Sequence, residues 1–294
     1  MSTRFINIVG YGYVGSALGY LCKENSVEFC VFDVVAKTES KAVKCFDKLS
    51  ELVRYSEQFN ENNVYFICVP TPSDDDGSCD TSIVESVIGQ IQKQAGKKTS
   101  VIIKSTVQPG TCRKLHEQFG SDMFSIIFCP EFLKERTFQE DMFNASFCLL
   151  GGSDSDGDNK LEMEKKVIDR LYAHKSQHKQ PFEILVHSYE ECELFKYTLN
   201  VYLAVKVWYF NEIHDVAERL NVDYNRLNKL FRLDPRIGFS HTHVPGPDGK
   251  RGFGGKCLPK ETRGMAFLQN TLGLDNSVFK CILERNLEMR GDHY

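Results

Sequence analysis

No Cys-x-x-Cys pair occurs in the 294 residues, although eleven cysteines do. The odd count and irregular spacing exclude a disulfide framework and a paired-thiol zinc site. They leave free thiols in a reducing compartment, which places the chain in the cytoplasm. No apolar run is long enough to span a bilayer. The opening MSTRFINIVGYGYVGSALGY has only a short apolar run broken by glycines, unlike a secretory leader. Charge of one sign is not in excess either. A net charge of −4 gives no electrostatic case for nucleic acid or a membrane surface as partner. Internal repeats and low-complexity segments are also missing. What is present is an ordinary globular balance, 41% hydrophobic and 26% charged, at a length that suits two domains.

The first half alternates short Val/Ile/Phe-rich runs with amphipathic segments of helical spacing. The runs are FINIV (5–9), VEFCVFD (27–33), VYFICV (64–69), SVIIK (100–104), FSIIFC (124–129) and FCLLGG (147–152). Several lack clean alternation, as strands buried on both faces do. This is a βαβ series and predicts a Rossmann-like, doubly wound α/β domain over residues 1–188, with a loop at 151–160 after the sixth strand. After FEILVHS (182–188) the pattern changes. From Tyr189 to about Leu220 there is neither Gly nor Pro. A helix of that length would extend about 45 Å. It outruns a small domain and predicts an all-α second domain, residues 189–294, with a dimer seam along the helix. The segment 232–261 reads as loop, and a last helix is expected from about Thr262.

GYGYVG, Gly10 to Gly15, follows the first strand and opens a helix. In that setting Gly10 allows the tight turn, Gly12 admits a pyrophosphate to the backbone, and Gly15 lets helix and strand pack closely. The helix N-terminus offers free N–H groups to phosphate. Asp33 ends the second strand, eighteen residues past Gly15. A carboxylate there accepts from ribose hydroxyls and repels a 2′-phosphate, which favours NAD over NADP; FAD uses the same fingerprint.

GFGGKCLPKE (252–261) sets Cys257 between Lys256 and Lys260 on a glycine-rich stretch. A thiol is a nucleophile as its thiolate, and neighbouring cations favour that form. On the long helix Glu193, Lys196 and Asn200 share a face. Lys196 and Asn200 form either a donor pair for an oxyanion or a solvated polar stripe. CVPTP (68–72), STVQPGT (105–111) and PEFLKE (130–135) each follow a strand. They place Glu131 and Glu135 at the edge where open sheets bind ligands. His241, His243 and Cys257 lack metal-site spacing, so no metal is expected. DDDG (74–77) reads as a solvated acidic turn.

GYGYVG, CVPTP, STVQPGT, PEFLKE, ELFKYTLN and GFGGKCLPKE together resemble the UDP-glucose/GDP-mannose dehydrogenase family, in order and approximate spacing. The resemblance covers the whole chain and is nearest the UDP-glucose 6-dehydrogenase branch. It implies an NAD-dependent four-electron oxidation of the C6 alcohol of a nucleotide sugar, UDP-glucose favoured, to the uronic acid. Cys257 would be the nucleophile, passing through a thiohemiacetal and a thioester. Lys196 and Asn200 would stabilise the oxyanion, and Glu131 would be the base for hydrolysis. Thr106 and Glu135 would line the site near the nicotinamide, with Val69, Pro70, Thr71, Tyr11, Tyr13 and Val14 on the cofactor surface. Phe132, Leu133, Lys134, Phe253 and Gly254 would face the substrate. Arg236 would reach the substrate of a neighbouring subunit, making the enzyme a homodimer through the long helix. Glu261 stands where the family carries Asp, a longer reach for the same charge. The family continues into a third, nucleotide-binding domain. This sequence stops at Tyr294: either it is a truncated form, or the substrate nucleotide is held differently, with Lys250 and Arg251 the basic candidates for its phosphates. Two other readings compete: a single-hydride β-hydroxyacid dehydrogenase, and a non-catalytic NAD-binding dimeric scaffold.

Overall fold

The computed structural model describes residues 3–35, 38–39, 41–153, 161–177 and 181–291. The chain forms two compact units: Met1–Thr71 with Asp80–Lys196, and Pro72–Cys79 with Tyr197–Tyr294. The linear boundary at 188/189 lies at the start of the long helix. The compact units divide within that helix, after Lys196.

The first unit is built on one eight-stranded sheet in the order β3-β2-β1-β4-β5-β6-β7-β8. The strands are β1 Ile6–Val9, β2 Phe29–Phe32, β3 Lys44–Phe46, β4 Asn63–Ile67, β5 Thr99–Ile103, β6 Phe124–Phe128, β7 Phe147–Gly152 and β8 Glu183–Ser188. Its helices are α1 Tyr13–Glu24, α2 Leu49–Phe59, α3 Ser82–Gln92, α4 Thr111–Phe119, α5 Phe138–Phe143, α6 Glu162–Leu171 and α7 Ala173–Gln177.

Period-two alternation sends successive residues to opposite faces. Val101 and Ile103 join Leu52, Val84, Ile88 and Leu115 of α2, α3 and α4. Ile102 joins Leu18 and Leu21 of α1 and Ile168 of α6 on the other face. Each fully buried Ile or Leu contributes about 1.5–3 kcal/mol. Two covered faces explain the continuous apolar runs.

The structure adds two features to the sequence-based order. Lys44–Phe46 forms an edge strand parallel to β2, so the run at 64–69 is the fourth strand. β7 runs antiparallel to β6, with Phe128 opposite Gly151, so the sheet is mixed. Between them only the six-residue α5 intervenes. The chain therefore re-enters the sheet from the edge where β6 ended and runs back. Of the predicted loop at 151–160, residues 154–160 lie outside the described residues.

The long helix α8 spans Tyr189–Arg219, within a turn of its expected end. In the second unit it is followed by α9 (Tyr224–Phe231), α10 (Leu258–Thr271) and α11 (Ser277–Arg290). The single expected last helix is thus two, broken at Leu272–Asn276, where Gly273 adopts φ +69. Ala204, Phe253 and Ile282 form one small core with Trp208, Leu258 and Phe279. Ala217, Tyr224 and Val244 form another with Ile213, Leu227 and Phe231. Asp223 caps α9 by accepting from the Asn225 and Arg226 N–H groups, worth about 1 kcal/mol. The acidic turn after β4 belongs to this unit. Gly77 has φ +91, and an added Cβ there would lie 2.9 Å from the Arg263 carbonyl oxygen of α10. Among the described residues no helix is long and apolar enough to cross a membrane.

Candidate active site

In the first unit the polar strand-end segments gather at the carboxyl edge of the sheet. β1 is the strand from which the order departs in both directions, the place where open α/β sheets hold ligands. Gly10 has φ +87, and a Cβ there would lie 2.6 Å from the Cys68 carbonyl oxygen at the end of β4. A Cβ on Gly15 would overlap the Gly10 carbonyl oxygen. Gly12 differs: it is the N-cap of α1 at φ −79, and a Cβ on it would meet no atom of the described residues within 4 Å beyond its own chain neighbours. Protein packing accounts for Gly10 and Gly15 and leaves Gly12 for a ligand. Asp33 accepts from the Tyr11 N–H at 2.6 Å and the Val35 N–H at 2.9 Å. Each carboxylate oxygen keeps a lone pair for a further donor. The Tyr11 hydroxyl donates to Glu39 at 3.0 Å, and its ring packs over Gly19, so that side chain is used structurally. The exposed Tyr13 hydroxyl is pushed above the usual phenol range by its hydrogen bond to Glu135, and its ring meets Phe138 edge-on at 5.5 Å. The fingerprint and PEFLKE are thereby joined. Val14 lies in the first turn of α1.

The Thr71 hydroxyl donates to the Thr106 carbonyl at 2.7 Å, and the Ser105 hydroxyl to the Val69 carbonyl at 2.7 Å, tying CVPTP, which contains Pro70, to STVQPGT. Beside them Lys196 Nζ donates to the Glu131 carbonyl at 2.6 Å and lies 3.4 Å from Glu131 Oε1. The two side chains are only 4% and 13% exposed. Glu131 Oε2 is buried, with no hydrogen-bond partner among the described residues. A carboxylate oxygen in that condition suits a water or a substrate hydroxyl. Phe132 packs edge-on against Phe195 at 5.6 Å with the Lys196 ammonium 5.5 Å from its ring centre. Leu133 packs against the core, whereas the Lys134 N–H and ammonium both point to Asp141.

Glu193 has a role its spacing did not suggest. Its carboxylate accepts from the Gly110 N–H at 2.6 Å and the Cys112 N–H at 2.7 Å, capping α4 just after STVQPGT. Burial pushes this carboxyl up to about 7, against the pull of the two N–H donors. Between its ordinary value and 7 the folded chain holds a proton that the unfolded chain has released. Stability therefore falls as pH rises through that window, by about 3–4 kcal/mol, and is flat above it. In Glu193→Gln the fall in melting temperature between pH 5 and 7 should largely vanish, whatever the absolute stability. An unchanged slope in thermal melts across that range would assign the titration elsewhere.

The second unit holds the cysteine. Cys257 is exposed, but it does not sit in mid-loop: it is the N-cap of α10, with Pro259 in the first turn. Its sulfur adjoins the positive end of a helix. The Cys257 carbonyl accepts from the Glu261 N–H at 2.9 Å. The Glu261 carboxylate, 1% exposed, accepts from Asn200 Nδ2 at 2.7 Å. The extra methylene of Glu261 is accommodated by that contact. One turn apart on α8, Lys196 and Asn200 thus each hold a carboxylate. Asn286 of α11, which nothing in the sequence singled out, accepts from the Phe253 N–H at 2.7 Å and donates to its carbonyl at 2.9 Å. It fixes the stretch leading to the cysteine, and a Cβ on Gly254 would lie 2.6 Å from the Arg290 guanidinium. Two expected substrate contacts have other partners. Arg236, 88% exposed, chelates Asp234, and Arg251 pairs with Asp215 and contacts Asn211.

Residues 4–175 match the UDP-glucose/GDP-mannose dehydrogenase family, NAD binding domain, and residues 190–288 match its central domain. The chain belongs to this family. A UDP-glucose 6-dehydrogenase of Campylobacter jejuni is 31% identical over 96% of the chain and 71% of its own length. One from Rickettsia prowazekii is 29% identical over 96% of the chain and 66% of its own. A UDP-glucose dehydrogenase structure from Pyrobaculum islandicum superposes with a TM-score of 0.78 at 28% identity, over 98% of this chain and 68% of that one. The chain spans about two thirds of the length of the curated relatives it matches. As a family member with this NAD binding domain it takes NAD as its cofactor, and the open space over Gly12 with the two pinned oxygens of Asp33 fits that ligand.

Proposed function

We propose that the protein oxidises the C6 primary alcohol of a nucleotide sugar, UDP-glucose favoured, to the carboxylate. The observation that carries this reading is the exposed Cys257 at the N-cap of α10, next to the buried Glu261–Asn200 pair. NAD, when bound, accepts the hydride lost at each of the two oxidation stages. After the first, the Cys257 thiolate adds to the aldehyde carbon, forming a C–S bond and returning that carbon to a tetrahedral, hydride-bearing state. Lys196 and Asn200 donate to the oxygen that gains charge. After the second, the product is a thioester on Cys257. Glu131, held by Lys196 with its second oxygen unpartnered, takes a proton from the water that cleaves it. Thr106 and Glu135 border the reacting end of the cofactor surface. Asp33 and the backbone at Gly12 bind its ribose and pyrophosphate, with Pro70 and Thr71 alongside. The proposal requires both half-sites, Lys196 and Glu131 with Cys257, Asn200 and Glu261, to serve one substrate.

Substrate-limited turnover tests it. Two NADH per UDP-glucose consumed, with the acid as product, is expected. One NADH per substrate would indicate a single-hydride β-hydroxyacid type of enzyme instead, and none from any of several nucleotide sugars would indicate a scaffold.

We also propose a homodimer through α8. Phe195, Tyr202, Tyr209 and Val216 recur every seven residues and are 44–54% exposed, a narrow apolar seam on a long helix. Tyr202→Glu combined with Tyr209→Glu should convert a sedimenting dimer to a monomer at micromolar concentration. A double variant that still sediments as a dimer would put the seam elsewhere.

A further inference from the structure

Behind Glu131, on the inner side of the strand ends, lies a cluster that the proposed reaction does not use. Lys104 follows β5 and is buried. Its ammonium donates to the Cys129 carbonyl at 2.9 Å and to the Cys129 sulfur at 3.5 Å, and among the described residues it makes no ion pair with a carboxylate, the Glu131 charge acting on it from beyond that distance. Cys129 follows β6, and its sulfur is 3.4 Å from that of Cys148 on β7, both side chains being buried. A buried ammonium without a counter-charge is costly, and truncating or orphaning one partner of such a pair costs several kcal/mol. Of the two groups bonded to this ammonium, only the Cys129 sulfur can become an anion. Cys148 is placed to donate an S–H to it.

We propose that Cys129 is a resident thiolate, the counter-ion of Lys104, and that with Cys148 it forms a dithiol site which a small hydroperoxide converts to a disulfide. The other titratable neighbours are Glu131 and Cys68 at the strand ends, Cys192 on α8, and Tyr172 beside α6. The Cys148 hydrogen bond and the Lys104 charge pull Cys129 below the ordinary thiol range, while burial and Glu131 push the other way. Cys148 is raised, as befits the partner that keeps its proton.

The chemistry balances with the peroxide as oxidant. The thiolate sulfur attacks one peroxide oxygen, the O–O bond breaks, and the other oxygen leaves as an alkoxide that takes a proton. Cys129 is then a sulfenic acid. The Cys148 sulfur attacks it, the S–S bond forms, and the S–O bond breaks with loss of water carrying the Cys148 proton. Two thiols are oxidised and one hydroperoxide is reduced. Lys104 is left without its anion, and the oxidised Cys129 lies two positions before Glu131. Cys148, 7% exposed against 0% for Cys129, is the accessible side, so the reagent must be small.

Thiolate absorbance near about 240 nm at neutral pH tests the ground state. Wild type should exceed Cys129→Ser by one thiolate, and Lys104→Met should lose the same increment. Dilute hydrogen peroxide followed by non-reducing peptide mapping should then recover Cys129 joined to Cys148, with Lys104→Met slower by about tenfold or more. Cys148→Ser should stop at a Cys129 sulfenic acid that dimedone traps. Equal absorbance in wild type and Cys129→Ser would overturn the thiolate. Free Cys129 and Cys148 after exposure that oxidises the exposed Cys257 and Cys281 would overturn the modification site. None of these readouts depends on dehydrogenase activity.

Discussion

Cys257→Ala should lower conversion of the nucleotide sugar to its acid by roughly a thousandfold or more while leaving NAD affinity unchanged. The thiol is needed because the two oxidations are chemically unlike. The alcohol carbon can release a hydride once its hydroxyl proton is taken. The aldehyde so formed can release a second only after something adds to its carbonyl. Cys257 supplies that nucleophile from an exposed N-cap, on a chain segment fixed by Asn286 at both polar atoms of Phe253. Alanine keeps the N-cap backbone and removes only sulfur, so the melting temperature should move by less than about 2 °C. NAD titration by fluorescence and a stopped assay for the acid separate the two effects. An alanine variant that still makes acid at wild-type rate would remove covalent catalysis from the proposal, and with it the main distinction from single-hydride enzymes.

Local chemistry made the fingerprint and the long helix legible in the sequence, whereas the stretch read as loop around Cys257 ends in the N-cap of α10. Gly10 and Gly15 are constrained by atoms within a few residues or one strand away, so spacing alone carries their meaning. The direction of β7 was not legible. A strand's residues specify which faces they cover, whereas direction is set by whether the preceding connection crosses the sheet. The short β3, KCF, is too brief for alternation to register. Contacts over long separations were also hidden. Asn286 meets Phe253 across 33 positions, and Glu193 caps a helix whose glycine N-cap lies 83 positions earlier. The shared face of Glu193, Lys196 and Asn200 was visible, but not that each holds a different element. Glu193 takes two backbone N–H groups, Lys196 takes Glu131, and Asn200 takes Glu261. Glu261 looked like a displaced carboxylate by comparison with the family's Asp. Its 2.7 Å contact with Asn200 shows how its longer side chain is used in this chain.

Gly12 and Gly15, three residues apart, should respond in opposite ways to the same added methyl group. At Gly15 the methyl would overlap the Gly10 carbonyl oxygen and press on Ile8 Cγ2 at 3.2 Å. The obstruction is backbone in a close-packed strand–turn–helix, so α1 must move off β1. A loss of about 2–4 kcal/mol in stability is expected, with NAD binding lost as a consequence. At Gly12 the backbone has a negative φ, −79, and among the described residues no atom beyond the chain neighbours lies within 4 Å of the new methyl. Gly12→Ala should therefore melt within about 2 °C of wild type without NAD. It should nevertheless bind NAD about a hundredfold more weakly, because the methyl occupies the space through which the pyrophosphate approaches the N–H groups of α1. Calorimetry with and without NAD reads both quantities on the same samples. Gly12→Ala binding NAD as tightly as wild type would move the pyrophosphate away from this turn. Gly15→Ala melting like wild type would show that α1 and β1 have slack the packing does not reveal.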